Sequence, residues 1–550
     1  MHIFSMTCKA ESAIDRFGKK SERDRAIRWF RDHSITKLYI ESYRHGRLVP
    51  EARLRAIRDD FVEAGFEVGG CITPTCLNER KGQTTNACFN DFVTCFSDPS
   101  AVETLQEIVE LTARLFDFFI LDDFMFTNCA CARCKAAKGD MTWQDYRCDL
   151  MLRISKERVL TPARRVNPNV KVIIKYPLWY ETYNAQGYDV IRETDLYDAI
   201  WIGTETRDPD SPEAGCRPQT AASWIQGWMN DIGSGKCGGG WYDPINTSPH
   251  TFLEQARQTI IGGAKESLLH CYDYLGTTTP GIALHDKDQE VQDGLADAEA
   301  FRQEAGDLQA LAGMIGDMEP YGVLVPKAPN QIQEGNDEAY LSGFVGMLGI
   351  PSVASGSLSA YVAAFFGVQA NGLDELADSI ADACCKGTPL VVTQGLLDIM
   401  GEQGKDLPRP LAEAWKSRRS NRRAPEILHL TDTLSLLQCP KDLWELMTLD
   451  SAEIDTLRNR LLRPLELEFH APAKVSLHLF RSGERRSEVI ENFNDTSAEV
   501  QIRFGGFDRG DRMIKLSLPS SNRVSLCRNS QEGYTITLPA RSLVVISSHD

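Results

Sequence analysis

The sequence predicts an α/β protein in several parts. A (β/α)8 (TIM) barrel is expected over residues 1–315 and a small flavodoxin-like α/β domain over 316–425. A connector over 426–464 and a C-terminal antiparallel β-sandwich over 465–550 complete the chain. Three observations carry this reading. Eight short apolar runs alternate with amphipathic stretches through the first half, the pattern of a parallel barrel. A shorter strand–helix alternation follows. The last 86 residues then change to closely spaced strands separated by turns. At 550 residues the chain is also too long for one core.

In order, the barrel strands are expected at His2–Thr7, Lys37–Ile40, Phe66–Ile72, Phe118–Asp122, Val170–Lys175, Ala199–Gly203, Gly238–Tyr242 and Ser267–Cys271. Amphipathic segments such as Arg23–Asp32, Pro50–Ala64, Ala101–Leu115, Trp143–Leu160 and Pro249–Gly262 lie between them. A doubly wound open sheet is the runner-up, but no glycine-rich phosphate loop follows the first strand. Residues 276–315 read as helix. Tyr321–Val325, Ile350–Val353 and Pro389–Thr393 read as strands, with helices over Tyr340–Leu348 and Leu373–Cys384. Residues 401–464 are polar and dotted with proline, as a solvated connector would be. Seven strands follow, from Lys474–Phe480 to Ser542–Ser547.

Composition narrows the function. A net charge of −17 disfavours nucleic acid and anionic membrane as partners. No apolar run reaches membrane-spanning length. The N-terminal MHIFSMTCKAESAIDRF lacks a basic region followed by an apolar stretch. No secretory signal is therefore read, and a cytoplasmic location is expected. In a chain of this size the 16 cysteines read as reduced thiols rather than a disulfide scaffold.

The strand ends hold the chemistry, because a barrel of this type builds its site from the loops that follow its strands. The fourth run, Phe118–Leu121, ends in two carboxylates, Asp122 and Asp123. Strand alternation predicts that the two side chains point apart. Adjacent acids at the end of an apolar strand are costly unless that end opens into a polar pocket. Glu41, Lys175, Tyr176, Glu205, Asp243, Tyr272 and Asp273 fall at other strand ends, with Trp179 and Trp241 beside them. Any one of these acids alone is as easily a helix cap, but six such ends together are not. Acids among Trp and Tyr suit a sugar, whose apolar face stacks on rings while its hydroxyls need carboxylates. Cleaving a glycosidic bond takes two carboxyl groups. Asp123 and Glu205 are the preferred pair, with Asp122 and Asp243 in reserve. Glu41, Lys175, Tyr176, Trp179, Trp241, Tyr272 and Asp273 are expected to contact an oligosaccharide or glycoside. No organic cofactor is implied.

Cys129-Ala-Cys131-Ala-Arg-Cys134 is tight enough to wrap one ion. Zinc held by thiolates prefers four ligands in a closed tetrahedron. The fourth candidate is Cys95, Cys88 or Cys148, and such a zinc would be structural.

Asp122-Asp123 followed by C-x-C-x-x-C, with Cys95-Phe-Ser-Asp-Pro99 upstream, resembles the family 42 glycoside hydrolases of the beta-galactosidase type. There an Asn-Glu pair precedes the cysteines and an earlier cysteine completes a zinc site. The resemblance implies Cys95 as fourth ligand, Asp123 at the acid/base position and a galactoside-type substrate. It also implies an amidotransferase-like middle domain serving a homo-oligomer, a trimer or dimer. The sequence departs from that pattern in having Asp for Glu and in offering Asp243 on the seventh strand. A fourth-strand Asp with a sixth-strand acid looks instead like clan D alpha-galactosidases. The alternative from another class is a non-catalytic carbohydrate-binding protein on a degenerate barrel. A metal-dependent hydrolase fits less well, since none of the ten His falls in an H-x-H or H-E-x-x-H spacing.

Overall fold

The computed structural model describes residues 1–77, 93–210, 217–276, 288–330, 336–358, 360–417, 424–505, 512–528 and 533–548, with the side chains of 288–293 left aside. Two compact units emerge. Met1–Cys216, Gly233–Thr259 and Ala264–Ala305 form the first. Arg217–Ile232, Ile260–Gly263 and Gly306–Asp550 form the second.

The first unit holds a closed parallel barrel. Its strands are β1 (Ile3–Cys8), β2 (Lys37–Arg44), β3 (Glu67–Ile72), β4 (Phe118–Leu121), β5 (Lys171–Tyr176), β6 (Ala199–Gly203), β7 (Cys237–Tyr242) and β8 (Glu266–Leu269). Each begins within one residue of its expected start. β1 pairs with β2 through Ser5 and Lys37 and with β8 through Ile3 and Glu266, which closes the ring. The expected (β/α)8 architecture is therefore present. Helices at Lys20–Asp32, Glu51–Glu63, Pro99–Leu115 and Trp143–Ile154 follow successive strands. Asp98 and Thr142 start the last two by accepting from the backbone N–H of Ser100 and Asp145.

Tyr39, Cys71, Ile120, Ile173, Trp201, Trp241 and Leu268 fill the interior, one from each of seven strands. Two tryptophans in one layer need space, and β7 supplies it. A Cβ on Gly239 would lie 2.5 Å from the Glu266 carbonyl and 2.6 Å from Trp201 Nε1. Gly238 and Gly239 thus make room for the Trp201 indole. Below them Lys37 Nζ meets Glu266 at 3.1 Å, and Ser5 Oγ donates to the same carboxylate at 2.6 Å. This buried pair is satisfied on both sides, as it must be to persist in a dry core. A fully buried side chain of leucine size or larger stabilises such a core by roughly 1.5–3 kcal/mol.

In the second unit a sheet of six described strands runs in the order Ser352–Ser355, Val323–Pro326, Ala364–Phe366, Leu390–Thr393, Leu434–Gln438, Glu426–His429. All pairings are parallel except the last. Counting the parallel strands alone gives the order 2-1-3-4-5, that of a flavodoxin-like sheet. Residues 426–464, expected as a connector, differ from that reading. Leu434–Gln438 is almost wholly buried and joins the sheet, and Ser451–Leu462 is a helix. Proline and polar residues around the strand masked its three leucines, Leu434, Leu436 and Leu437. The sequence Arg418-Arg419-Ser-Asn-Arg422-Arg423, a basic run read with the connector, lies outside the described residues.

Two antiparallel sheets finish the chain. Val475–Ser482, Arg485–Asn492, Ser542–Ser548 and Arg512–Leu518 build one, extended at its edge by Glu319–Tyr321. Leu467–His470, Ala498–Phe504, Tyr534–Leu538 and Leu526–Arg528 build the other. Their inner faces meet in one core containing Phe469, Leu477, Val500, Ile536 and Val544. This is the expected sandwich. No helix among the described residues is long and apolar enough to cross a membrane.

Candidate active site

At the carboxyl ends of the barrel strands lies a cavity of about 530 Å³, a size suited to a small ligand. β4 ends at Leu121, so strand alternation no longer governs the two residues that follow. Asp122 and Asp123 accordingly both line the cavity, contrary to the sequence expectation.

Their surroundings differ. Asp122 is 2% exposed and saturated. Thr73 Oγ1 at 3.0 Å, Arg44 Nη2 at 3.3 Å and the Asp123 backbone N–H at 2.8 Å all donate to it. Asp123 receives Lys175 Nζ on Oδ2 at 2.7 Å, while its carbonyl accepts from the Tyr188 hydroxyl. The same ammonium donates to Glu205 Oε1, also at 2.7 Å. The two carboxylate oxygens therefore lie no more than 5.4 Å apart, twice that bond length. Asp243 is engaged by Arg207, whose Nε and Nη2 donate to its two oxygens at 3.0 and 2.8 Å. Arg207 itself sits at φ 56°, a strained region for a residue with a side chain.

The charges sort the acids. Burial pushes the Asp122 carboxyl up, but Lys175 and Arg44 outweigh it and leave the group below its ordinary value. Burial also pushes Asp123 up. Lys175 opposes this, the Asp122 and Glu205 charges add to it, and the group reaches about 8. Glu205 is raised by burial and by Asp243 against the pull of Lys175. Burial works against the Lys175 charge, yet Asp123, Glu205 and Asp122 hold it above its ordinary value, so it stays an ammonium. Acids pushed apart in this way are what a proton donor beside an ionised partner requires.

Aromatic rings complete the wall. Trp179 meets Phe126 edge-on at 5.2 Å, and Trp241 stacks on His270 at 5.2 Å. Lys175 Nζ lies 4.4 Å from the Trp241 ring centre.

Of the residues expected at the site, Asp122, Asp123, Lys175, Trp179, Glu205, Trp241 and Asp243 line this one cavity. Glu41, Tyr176, Tyr272 and Asp273 do not. Glu41 is fully buried behind it, receiving Arg44 Nε at 2.9 Å and sharing with Asp122 the Thr73 hydroxyl, whose Oγ1 is 3.0 Å away. Asp273 accepts from Ser12 Oγ and the Lys9 backbone N–H. Tyr176 packs among Tyr183 and Tyr188, and Tyr272 among Phe17, Trp29 and Phe30. Sequence reasoning passed over Lys9, Arg44, Arg207 and His270, which also line the cavity. Lys9, Arg207 and His270 follow strand ends, so the rule that found the acids would have found them had it been applied to cations.

Cys95, Cys129, Cys131 and Cys134 come together with all sulfurs within 4.8 Å of one another, so the cluster could hold a metal ion. Cys95 Sγ lies 3.9 Å from Cys131 Sγ and 3.6 Å from Cys134 Sγ. Zinc–sulfur bonds of ~2.3 Å at tetrahedral angles place sulfurs about 3.8 Å apart, so the donor set fits. Cys148 stands elsewhere, near the carbonyls of Asn184 and Tyr188. Cys88 lies outside the described residues.

A family model described as "probable glycosyl hydrolase, catalytic domain" matches residues 1–293. The chain belongs to that glycosyl hydrolase family. The match covers the whole barrel and every residue of the cavity. An uncharacterized protein of Saccharolobus solfataricus is 25% identical over 281 residues, 46% of each chain, so the alignment spans about half the length of that relative. Solved structures that resemble the entire chain include the following three. An alpha-L-fucosidase isoenzyme from Paenibacillus thiaminolyticus has a TM-score of 0.63 at 12% identity, with 100% of both chains covered. A beta-galactosidase from Bacillus circulans sp. alkalophilus has 0.64 at 11%, covering 100% of this chain and 99% of its own. A catalytic mutant of a GH42 beta-galactosidase from G. stearothermophilus has 0.63 at 12%, covering 100% and 98%. At such identities the likeness establishes the fold alone.

Proposed function

We propose that the protein is a retaining glycoside hydrolase, with Asp123 as general acid/base and Glu205 as nucleophile. The observation that carries this is the Lys175 ammonium held between the two carboxylates at 2.7 Å each. Nearest oxygens no more than 5.4 Å apart suit the separation of about 5–5.5 Å used for double displacement. They leave no room for the water of an inverting enzyme, which needs roughly 6.5–9.5 Å.

The roles follow from the surroundings. Asp122 and Asp243 are committed to Arg44 and Arg207 and serve to hold those cations. Asp123 holds its proton at neutral pH and donates it to the leaving oxygen. Glu205, whose charge Lys175 favours against burial and Asp243, attacks the anomeric carbon. Once Glu205 is esterified its negative charge is gone. The proton affinity of Asp123 then falls, and it can take a proton from the incoming water. Trp179 and Trp241 supply apolar faces for the ring. The substrate is a glycoside, and beta-galactosides and alpha-L-fucosides are the first to screen, since those names belong to the structural neighbours.

The four thiolates are read as a structural zinc site. Zinc there would pin the loop that follows β4 and so hold Asp123 in place, taking no part in the reaction.

Aryl glycosides test the pair. Asp123→Asn and Glu205→Gln should each lower kcat by at least about 10²–10⁴-fold while circular dichroism stays unchanged. Asp243→Asn should lose much less. Near-normal turnover by Asp123→Asn would reject the assignment. A barrel that binds sugars and cleaves no glycoside would favour the non-catalytic alternative.

A further inference from the structure

We propose that the sugar bound in this cavity carries an anionic group, a carboxylate or a sulfate ester, and that Lys9 is the residue that receives it. The inference rests on the glycosidase reading for the identity of the site and adds the substrate class.

Among the described residues four permanent cations face the cavity: Lys9, Arg44, Lys175 and Arg207. Three are spent on carboxylates of the chain. Arg44 takes Glu41 and Asp122, Lys175 takes Asp123 and Glu205, and Arg207 takes Asp243. Lys9 is the exception. It follows β1 directly and is 1% exposed. Its ammonium donates to the Tyr274 hydroxyl at 2.7 Å and lies 4.1 Å from the centre of that ring. No carboxylate of the described residues makes an ion pair with it. Asp273 is the acid on the neighbouring loop, but it is occupied by Ser12 and by the backbone N–H of Lys9.

An ammonium has three donors, and one is used. Burial opposes the charge of Lys9, yet Cys271, Tyr274 and Asp273 hold it above its ordinary value, so it stays an ammonium with two donors unused. Tyr274 packs on His270, and His270 on Trp241, which carries Lys175 on its face. A continuous wall thus joins the Lys9 ammonium to the proposed carboxylate pair. His270 is buried among Arg44, Lys9 and other cations and stays neutral, so it offers no competing charge. A pyranose lying along the Trp241–His270 face would bring a ring substituent to Lys9. A hydroxyl there accepts one hydrogen bond, whereas an anionic group also neutralises the ammonium.

Calorimetry on the full-length protein decides the matter with free sugars, so no cleavage is needed. Hexuronates, hexose sulfates and the matching neutral hexoses are titrated in turn. One anionic set should bind about 10–100-fold more tightly than its neutral counterpart, and which set does so tells carboxylate from sulfate. Lys9→Met should reduce that sugar to the neutral level, and Lys9→Arg should keep most of the preference. Equal affinity for neutral and anionic sugars, or no anionic sugar bound by the unaltered protein, overturns the proposal. Lys9-dependent anionic binding with no glycoside cleaved would sink the hydrolase reading and leave this one standing.

Discussion

Asp123 and Lys175 decide most of what a single residue can report. If Asp123 is the proton donor proposed above, the rate should fall as pH rises through about 8, where its carboxyl ionises. The acidic limb belongs to Glu205, raised above its ordinary value, and the two limbs are apparent values of a coupled pair. A pH profile of kcat/KM measures both; a rate flat from pH 6 to 10 would contradict the role of Asp123. The same shift bears on stability. A carboxyl raised in the folded state binds its proton more tightly there than in the unfolded chain. Stability is therefore fully retained below the unfolded value and declines as pH climbs toward 8. Asp123→Asn removes that penalty, so at pH 7 it should melt higher, at roughly 2–4 °C per kcal/mol gained, while losing activity. Lys175→Met should do the reverse of activation. Without the cation both carboxyls rise further, the charged form of Glu205 is disfavoured, and kcat should drop about 100-fold or more at neutral pH. The acids of this site were legible in the sequence because each follows a strand. Their division of labour was not, because it is set by Arg44 and Arg207. Those arginines reach the acids only after β2, β4, β6 and β7 are assembled.

At the scale of single elements, β6 and the cysteine loop carry the testable content. β6 ends in Gly203, where a Cβ would stand 2.2 Å from Glu205 Oε2 and 3.0 Å from the Leu178 backbone nitrogen. The glycine is there to let the carboxylate and that backbone approach. Gly203→Ala should leave the barrel folded and displace Glu205, costing on the order of 100-fold in kcat for a shift near 1 Å. Unchanged kinetics would show that Glu205 does not act from this position. For the loop, Cys129→Ser should lower bound zinc from one equivalent per chain, measured by elemental analysis, and reduce activity through loss of order beyond β4. Retention of full zinc by the variant would remove Cys129 from the ligand set. Strands were the easiest elements to read, since runs such as Phe118–Leu121 are apolar on both faces and end abruptly in charge. The strand Leu434–Gln438 escaped notice because its flanks, Thr431-Asp432-Thr433 and Cys439-Pro440-Lys441, have the texture of a linker. Its pairing with Leu390–Thr393 on one side and Glu426–His429 on the other discloses it.

For the molecule as a whole, the order of parts was open to sequence reading because each part has its own period. The barrel alternates strand and helix, the middle region does so on a smaller scale, and the end is all strand. Chemistry was less open, since a cavity gathers side chains from strands far apart in the chain. Tyr176 and Tyr272 sit at strand ends as surely as Trp241 does, yet packing turns them into the core. The central claim is that Lys175 holds together a carboxylate pair that works by double displacement. Trapping the covalent intermediate tests it most directly. A 2-deoxy-2-fluoro glycoside of a sugar that the enzyme cleaves is incubated with the full chain, and the labelled peptide is found by mass spectrometry. The account predicts one sugar attached to Glu205. A label on Asp243, or a product released with inverted configuration and no label at all, would contradict it.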